Sequence, residues 1–393
     1  MDKYYKIEKE ADMKKIKAGV IGLGFIGPVH VEAIRRTGNT DVVAIAEMNE
    51  IKAKEFAAEW GIETIYSNYQ DLLKDDTIDV VHICTPNHLH YQIAKEALKA
   101  GKHVVCEKPL AMDEKEGSEL VELAEQTKLI CAVNLNYRGY PLVQEVKEMI
   151  ANGDLGEILA VNGSYQQDWL FHETDYSWRL EKEFSGNTRA IADIGSHWFD
   201  MMESITGLKT QKVLADFATF HKTRKKPLKE VETYSGKVLA PSDYEDVPIE
   251  TEDYATVLIR FDKQAHGSFT TNQVAAGRKN RLYFEIYGTK CAVAFDSERP
   301  NQLWIGKRDG NNEIMIKDPS LMYKAAVAYN SYPGGHTEGF ADATKQTMRN
   351  IYAAIRDGKD NGGYANFAAG HRELTICDAI FESSVEEKWI TVK

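Results

Sequence analysis

Two segments of the chain carry side chains that can move a proton or stabilise a negative charge. Asp193 and His197 are four residues apart, a spacing that places both on one face of a helix. Histidine is the usual proton acceptor near neutral pH, and a neighbouring carboxylate raises its basicity and holds its orientation. Lys108 follows an apolar stretch, where its ammonium group can stabilise the oxyanion that develops as hydride leaves a carbon. These residue types predict oxidation of an alcohol.

Both segments have a structural alternative. Asp193 and His197 can form an exposed pair on a helix surface, and Lys108 can be a solvated side chain before the turn residue Pro109. A metal centre is not predicted, because the spacing suggests no third ligand.

A glycine-rich turn predicts where the hydride acceptor binds. Gly22, Gly24 and Gly27 form a GxGxxG pattern after an apolar strand, with Phe25 and Ile26 between the last two glycines. The glycines permit a tight turn, close approach of the backbone to phosphates and close packing of the next helix. Free N–H groups at that helix N-terminus then bind the pyrophosphate of a dinucleotide. The alternative is a glycine turn in another kind of βα unit.

Glu47 ends the second apolar strand, twenty residues after Gly27. A carboxylate at that offset accepts hydrogen bonds from the ribose of adenosine. No arginine follows to pair a 2′-phosphate, which the carboxylate itself would repel. The sequence therefore predicts NAD rather than NADP, and a solvated strand end is the alternative for Glu47.

A polar stretch ends the strand before Lys108. Thr85, Asn87 and His90 are expected to shape the nicotinamide pocket, because they lie at the same rim of the sheet. Either His88 or His90 can act as a base, and capping of the loop is the alternative.

Strand and helix patterns alternate through the first third of the chain, which predicts a Rossmann domain with a doubly wound parallel sheet. The predicted strands span 17–21, 42–46, 79–84, 102–106 and 129–135, and the helices 29–37, 52–60, 91–100 and 115–127. In such a sheet the ligand binds at the carboxyl ends of the strands.

After residue 136 the strand patterns follow one another, which predicts an α+β domain with a large, open, mainly antiparallel sheet. The predicted strands span 158–166, 213–220, 255–261, 265–272, 281–287, 291–295 and 303–305, and the helices 141–152, 193–206, 338–357 and 369–388. The predicted domains are therefore an NAD-binding domain at 1–136 and a substrate-binding and oligomerisation domain at 137–393.

The bulk composition excludes several classes of protein. A chain of 393 residues is too long for one ordinary core, and its formal net charge of −12 repels nucleic acid. It has no apolar run long enough to span a bilayer. Five cysteines without a CxxC pair argue against disulfides and zinc, so we expect a cytoplasmic protein. Residues 1–15 lack the apolar core of a signal peptide and are interpreted as a frayed extension.

Aromatic and polar residues cluster before the Asp193 segment. Gln167, Trp169 and Arg179 lie in a stretch in which three of the six tryptophans fall within thirty residues. Flat rings beside amide and guanidinium donors suit a pyranose, and core packing is the alternative. A long insertion at 221–250 is expected to be functional or to pack on a neighbour, and its basic part, 222–229, is interpreted as a solvated loop.

The chain resembles the glucose-fructose oxidoreductase, inositol dehydrogenase and rhizopine catabolism (Gfo/Idh/MocA) family over nearly its whole length. The motifs that carry the resemblance occur in family order: Gly22-Leu-Gly24-Phe-Ile-Gly27, Glu107-Lys108-Pro109, Asn136-Tyr137-Arg138, Ser177-Trp178-Arg179 and Asp193-Ile-Gly-Ser-His197. The resemblance implies NAD(P) on the first domain, a sugar or cyclitol over the second, a cis Lys108–Pro109 bond, and a homo-dimer or homo-tetramer built through the second-domain sheets.

The resemblance also implies residue roles. Lys108 orients the reacting hydroxyl, His197 is the general acid/base, and Asp193 assists it and binds a neighbouring hydroxyl. Among the remaining positions, Glu107 and Asn136 are assigned to cofactor binding. The residues assigned to substrate binding are Tyr137, Arg138, Gln167, Trp169, Arg179 and His336.

Gln167-Asp-Trp-Leu170 and Pro333-Gly-Gly-His336 are similar to the branch with levoglucosan dehydrogenase and glucoside 3-dehydrogenases. That branch implies an NAD-dependent dehydrogenase that oxidises a secondary hydroxyl, at C3 of a glucose-like ring, to a ketone. Two alternatives stay open: a non-catalytic NAD-binding regulator that senses a sugar, and a redox-neutral NAD-dependent glycosidase.

Overall fold

A computed structural model describes residues 15–229 and 239–393. The predicted N-terminal extension lies outside the described residues apart from Lys15, and so do residues 230–238 of the predicted insertion. Within the described ranges, no helix is long and apolar enough to cross a membrane.

The first domain is a parallel sheet in the spatial order β3-β2-β1-β4-β5-β6, flanked by helices. Its strands are β1 (Ile16–Ile21), β2 (Thr40–Ala46), β3 (Thr64–Tyr66), β4 (Val80–Ile83), β5 (His103–Cys106) and β6 (Cys131–Val133), and its helices are α1 (Ile26–Arg35), α2 (Glu50–Trp60), α3 (Tyr69–Leu73), α4 (His90–Lys99) and α5 (Glu114–Thr127). The strand order reverses between β1 and β4, which opens a crevice for a ligand at their carboxyl ends. The predicted Rossmann domain is confirmed, whereas the short β3 and α3 were not predicted.

The second domain contains a nine-stranded sheet in which β7 and β12 form the one parallel pair among the described strands. Its strands up to residue 316 are β7 (Ile158–Gln166), β8 (Thr210–Ala218), β9 (Thr223–Pro227), β10 (Tyr244–Pro248), β11 (Tyr254–Phe261), β12 (His266–Asn272), β13 (Arg281–Gly288), β14 (Ala292–Asp296), β15 (Gln302–Gly306) and β16 (Glu313–Ile316), with helices α6 (Pro141–Ala151), α7 (Lys182–Ser185), α8 (Ser196–Thr206) and α9 (Lys324–Val327). Strands β9 and β10 form a separate hairpin. The large, mainly antiparallel sheet is confirmed.

Alternate residues of the nine strands face a core that α8 closes. Trp198 and Phe199 of α8 are fully buried and lie 4.7 Å and 5.2 Å from the ring of Phe269 on β12. Gly163 on β7 makes room for the indole, because a Cβ at this position would lie 2.1 Å from its Nε1 atom. This packing fixes the start of α8, the helix that carries His197.

The interpretation of residues 222–229 as a solvated loop is wrong. Thr223–Pro227 is strand β9, which pairs antiparallel with β10. The Arg224 side chain within it is completely buried. The composition concealed this, because a strand that buries one long basic side chain has the charge pattern of an exposed loop.

The chain returns to the first domain after residue 340. Helix α10 (Phe340–Asp357) packs against α1, and β17 (Ala365–Asn366) adds antiparallel to β6. Helix α11 (Phe367–Glu386) and β18 (Ile390–Thr391) then run back to β8 of the second sheet. The buried face of α10 belongs to the core under β1, and its members there are Met348, Ile351, Tyr352 and Ala354. Strand β17 completes the first sheet and β18 the second, although both come late in the sequence. The division of the domains at residue 136 stays a prediction.

Replacing Ile351 with alanine should lower the free energy of unfolding by about 2–5 kcal/mol, because the side chain is fully buried in the first-domain core. Arg356→Ala on the same helix is the control and should stay within about 0.5 kcal/mol of wild type, since that side chain is 44% exposed. Urea unfolding measures both. Equal effects of the two variants would contradict the place of α10 in this core.

Candidate active site

A cavity of about 870 Å³ lies between the two sheets, at the carboxyl ends of β1, β4 and β5. Most of the site residues predicted from the sequence line it: Gly22, Gly24, Phe25, Ile26, Glu47, Thr85, Asn87, Glu107, Lys108, Asn136, Tyr137, Gln167, Arg179, Asp193 and His197. Those that follow the parallel strands lie together because the carboxyl ends of such strands meet at one edge of the sheet.

His90 and Arg138 do not line the cavity. Both ring nitrogens of His90 face backbone carbonyls, those of Pro109 at 2.7 Å and Thr85 at 2.9 Å, and the side chain is fully buried. His90 therefore ties two loops of the site together. The guanidinium of Arg138 forms a two-pronged ion pair with Asp200 on another side of α8.

Trp169 and His336 also lie outside the cavity lining. Trp169 packs against the small cluster of Leu170, Leu180 and Ile249, and its Nε1 donates to Gln167 Oε1 at 2.9 Å. His336 is exposed on the loop before α10. The assigned contact of His336 came from resemblance alone, and that of Trp169 also from the clustering of aromatic residues; neither source fixes where a loop lies.

The glycine turn has the form that a dinucleotide requires. Gly22 has a φ of +90°, and a Cβ on Gly27 would lie 2.2 Å from the Gly22 carbonyl oxygen, so Gly27 serves helix packing and not the cavity. A Cβ on Gly24 would meet nothing within 4 Å, so this backbone is open to the cavity. Glu47 Oε2 accepts from the Leu23 amide at 3.0 Å, which ties the turn to the end of β2.

These features fit a bound NAD, with the turn at its pyrophosphate and Glu47 at its adenosine ribose. The far end of the cavity is lined by the β3–α3 connection at residues 67–70, which sequence reasoning missed together with β3. Within the described ranges, no group of three or more His, Cys, Asp or Glu residues is arranged to hold a metal ion.

Lys108 and Asp193 join the two domains. The Lys108 ammonium group donates at 2.7 Å both to the backbone carbonyl and to Oδ1 of Asp193, and the Lys108–Pro109 bond is cis, as the resemblance implied. Arg179 lies 3.4 Å from the same Oδ1 atom, and Gln273 donates to Oδ2 at 2.9 Å. Burial alone would raise the pKa of Asp193, but the charges of Lys108 and Arg179 hold it well below its usual range.

His197 faces the cavity one turn beyond Asp193. Residues Ile191–Gly195 form a π-helical turn, a geometry frequent at functional sites, before α8 begins at Ser196. The imidazole packs edge-on against Tyr137, with ring centres 5.0 Å apart, and its buried Nδ1 has no hydrogen-bond partner in the protein.

The pKa of His197 lies below that of an ordinary histidine, although Asp193 by itself raises it, as expected. Burial, followed by the positive charge of Lys108, lowers the pKa of His197 to about 3, and the opposing effect of the Asp193 carboxylate is smaller. Both Asp193 carboxylate oxygens have other partners, Lys108 and Gln273. His197 is therefore a neutral imidazole near neutral pH, able to accept a proton.

Glu107, beside Lys108, holds a buried negative charge that the sequence did not explain. Its carboxylate is 2.8 Å from His30 Nε2 and accepts from Asn134 Nδ2 at 2.6 Å. Burial alone would raise the pKa of Glu107, but the hydrogen bond and charge of His30, with the charge of Lys108, lower it to about 2. Asn134 comes directly after β6, just as Thr85 comes after β4. The expectation that polar residues at the carboxyl ends of the strands line the site could therefore have identified Asn134 as well.

A chain of buried hydrogen bonds continues from His30. Its Nδ1 lies 2.9 Å from Nδ1 of His82, whose Nε2 lies 2.8 Å from the hydroxyl of Tyr352. Burial lowers the pKa of His82 well below its ordinary value, so this ring is neutral. Which atom donates in each of these contacts depends on the tautomers of the two rings. These hydrogen bonds connect helix α10 to Glu107, the residue before Lys108.

Comparison with known proteins agrees with this geometry. The family model described as an oxidoreductase family with an NAD-binding Rossmann fold matches residues 16–135, and the GFO/IDH/MocA C-terminal domain matches 143–294. Levoglucosan dehydrogenase of Pseudarthrobacter phenanthrenivorans is 30% identical over 97% of this chain and 99% of its own length.

The chain belongs to the Gfo/Idh/MocA family of oxidoreductases. Glucose-6-phosphate 3-dehydrogenase of Bacillus subtilis is 23% identical over 97% of this chain and 99% of its own length. A solved structure of levoglucosan dehydrogenase with NADH and L-sorbose matches 97% of this chain and all of that chain, with a TM-score of 0.87 and 30% identity. The cofactor of this NAD-binding Rossmann family is NAD, as the sequence predicted.

Gly24→Ala should weaken NADH binding and leave the melting temperature within a few degrees of wild type, because the added Cβ enters open cavity space. Gly27→Ala should lower the melting temperature, since its Cβ collides with the Gly22 carbonyl. NADH fluorescence titration and thermal unfolding separate the two effects. Unchanged NADH affinity in Gly24→Ala would contradict the placement of the cofactor.

The stability of wild type relative to His197→Asn should fall as pH is lowered from about 6.5 towards 3. The folded-state pKa of His197 is about 3 and that of an unfolded histidine is about 6.5, so the unfolded state binds more protons in this window. Above the window the difference in unfolding free energy between the two proteins should be constant. Urea unfolding at several pH values measures it, with the exposed His266→Asn as the matched control. If the unfolding free energies of wild type and His197→Asn change equally with pH, this imidazole is not buried in its neutral form.

Proposed function

We propose that this protein is an NAD-dependent dehydrogenase that oxidises a secondary hydroxyl, at C3 of a glucose-like ring, in a sugar, glycoside, anhydrosugar or cyclitol. One observation carries the proposal: the Lys108 ammonium, the Asp193 carboxylate and the neutral His197 ring line one wall of the cavity that the glycine turn also lines. An intact set of this kind argues against a purely regulatory nucleotide-binding protein. The names of the relatives, levoglucosan dehydrogenase and glucose-6-phosphate 3-dehydrogenase, support the substrate class and the carbon.

The three side chains have different tasks in the oxidation. When NAD is bound, its nicotinamide ring accepts the hydride from the carbinol carbon. Lys108 donates a hydrogen bond to the reacting oxygen and stabilises the negative charge that develops there. His197 accepts the hydroxyl proton, which a neutral imidazole can do without first losing one. Asp193 holds the ammonium group in place and offers an oxygen to a neighbouring hydroxyl.

The rest of the wall suits a ring rich in hydroxyl groups. Tyr137 is hydrogen-bonded to Tyr165 at 2.5 Å and to Asn280 at 2.9 Å, and the indole of Trp178 stacks under the Arg179 guanidinium at 4.5 Å. All five side chains line the cavity. Aromatic faces beside fixed amide and guanidinium donors favour a pyranose or cyclitol over an apolar alcohol.

A homo-dimer or homo-tetramer through the second-domain sheet is part of the proposal. The sheet face opposite the core carries Thr256, Leu258, Tyr283, Tyr287 and Trp304, and Leu258 is 46% exposed. A broad face of this composition is typical of a surface between copies of one chain. A cytoplasmic location also stays part of the proposal, supported by the unpaired cysteines.

Reduction of NAD should be seen with a glucoside or levoglucosan when purified protein is mixed with NAD or NADP and a panel that includes inositols and free hexoses. His197→Asn should lower kcat by about 10²–10⁴ with NADH affinity within twofold of wild type, because only proton transfer is lost. His266→Asn should retain wild-type activity.

Two results would contradict the proposal. If no compound of the panel reduces NAD although the protein binds NADH, a regulator is favoured. If nitrophenol is released from a nitrophenyl glycoside without net formation of NADH, a glycosidase is favoured. Wild-type kcat in His197→Asn would remove His197 as the base.

A further inference from the structure

The β9–β10 hairpin packs against the loop that supplies Arg179 to the cavity. The buried guanidinium of Arg224, on β9, donates to three backbone carbonyls of that loop: Leu170 at 2.9 Å, His172 at 2.8 Å and Asp175 at 3.2 Å. The loop is thus wrapped around one side chain of the hairpin. Three residues later it forms the short helical turn Trp178–Leu180, whose first two residues line the cavity.

Arg224 also contacts the segment that follows the hairpin. Its Nη2 donates to Asp253 Oδ1 at 3.0 Å, and the same oxygen accepts from Arg189 Nη2. These three side chains are completely buried, so one carboxylate bridges two guanidinium groups away from solvent. Next to it, Glu252 accepts from the backbone amides of Arg189 and Ile191, where the π-helical turn begins.

The buried Arg189 is connected to the Asp193 carboxylate through the side-chain amide of Gln273. Arg189 Nη1 donates to Gln273 Oε1 at 3.0 Å, and Gln273 Nε2 donates to Asp193 Oδ2 at 2.9 Å. A guanidinium can only donate, so it fixes the oxygen of Gln273 towards Arg189 and its NH₂ group towards Asp193. This polarity keeps the Asp193 carboxylate turned so that Oδ1 meets Lys108.

We propose that strands β9 and β10 of the insertion form a built part of their own chain's substrate site, with Arg224 as a positioning residue that holds the loop of Trp178 and Arg179 and orients Asp193 through Asp253, Arg189 and Gln273. This rests on the proposed function for the reaction that the site performs. These strands thereby set affinity for the sugar, whereas affinity for NAD depends chiefly on the glycine turn and Glu47.

Arg224→Gln should raise KM for the sugar substrate about ten- to hundredfold, with a smaller change in kcat and NADH affinity within twofold of wild type. Lys225→Gln is the matched control, because Lys225 is the next residue of the same strand and makes an exposed ion pair with Asp246. Arg224→Lys keeps a charge for Asp253 but loses the forked contacts to the carbonyls, so its KM should lie between those of Arg224→Gln and wild type.

Hydrogen exchange reports the coupling without any turnover. Backbone amides at 170–180 and 189–193 should exchange faster in Arg224→Gln than in Lys225→Gln, and faster in Arg224→Lys if the glutamine variant does not fold. A KM equal to that of the control, equal exchange in both segments, or parallel loss of NADH and sugar binding would overturn the proposal. If wild type oxidises no sugar, the proposed function fails, and the exchange result still decides whether the hairpin positions the site.

Discussion

The contact between the Lys108 ammonium group and Asp193 is the interaction on which the site depends, because it is made where the two sheets meet. Two opposite charges with little access to water are costly unless their remaining hydrogen-bonding positions are filled. Here Lys108 also donates a hydrogen bond to the backbone carbonyl of Asp193, and Gln273 donates one to the second carboxylate oxygen. The same positive charge helps to hold the pKa of His197 low. One contact therefore connects the two sheets, orients the Lys108 ammonium group and, together with burial, keeps His197 unprotonated.

Buried hydrogen-bonded groups support this pair from both domains. On the first-domain side, the Glu107 carboxylate is held ionised by His30, and the hydrogen bonds continue through His82 to Tyr352 on α10. On the second-domain side, the amide of Gln273 separates Asp193 from the buried guanidinium of Arg189. Polar chains of this kind are stable only when every member has its partner, so a change at one end reaches the reacting groups.

Local sequence patterns predicted the parts of the site that lie on single elements. The glycine turn, the residue before Pro109 and the Asp193–His197 spacing each depend on a few neighbouring residues. Patterns could not predict contacts made across the fold. Arg138 matched a motif, yet its guanidinium pairs with Asp200, and Gln273 lies 80 residues from the aspartate it orients. The buried Arg224 shows the same limit, because its partners lie in two separate segments, both distant in sequence.

The return of the chain to its first domain affects how the protein can fold as it is made. A ribosome releases residues 16–133, with all six parallel strands, well before α10 and β17 exist. Until then the apolar flank that Met348 and Ile351 later cover is exposed, and β6 has a free edge. The nucleotide-binding half is therefore complete only after residue 366 has been made, and a chain cut short before residue 340 leaves it open to association with other nascent chains.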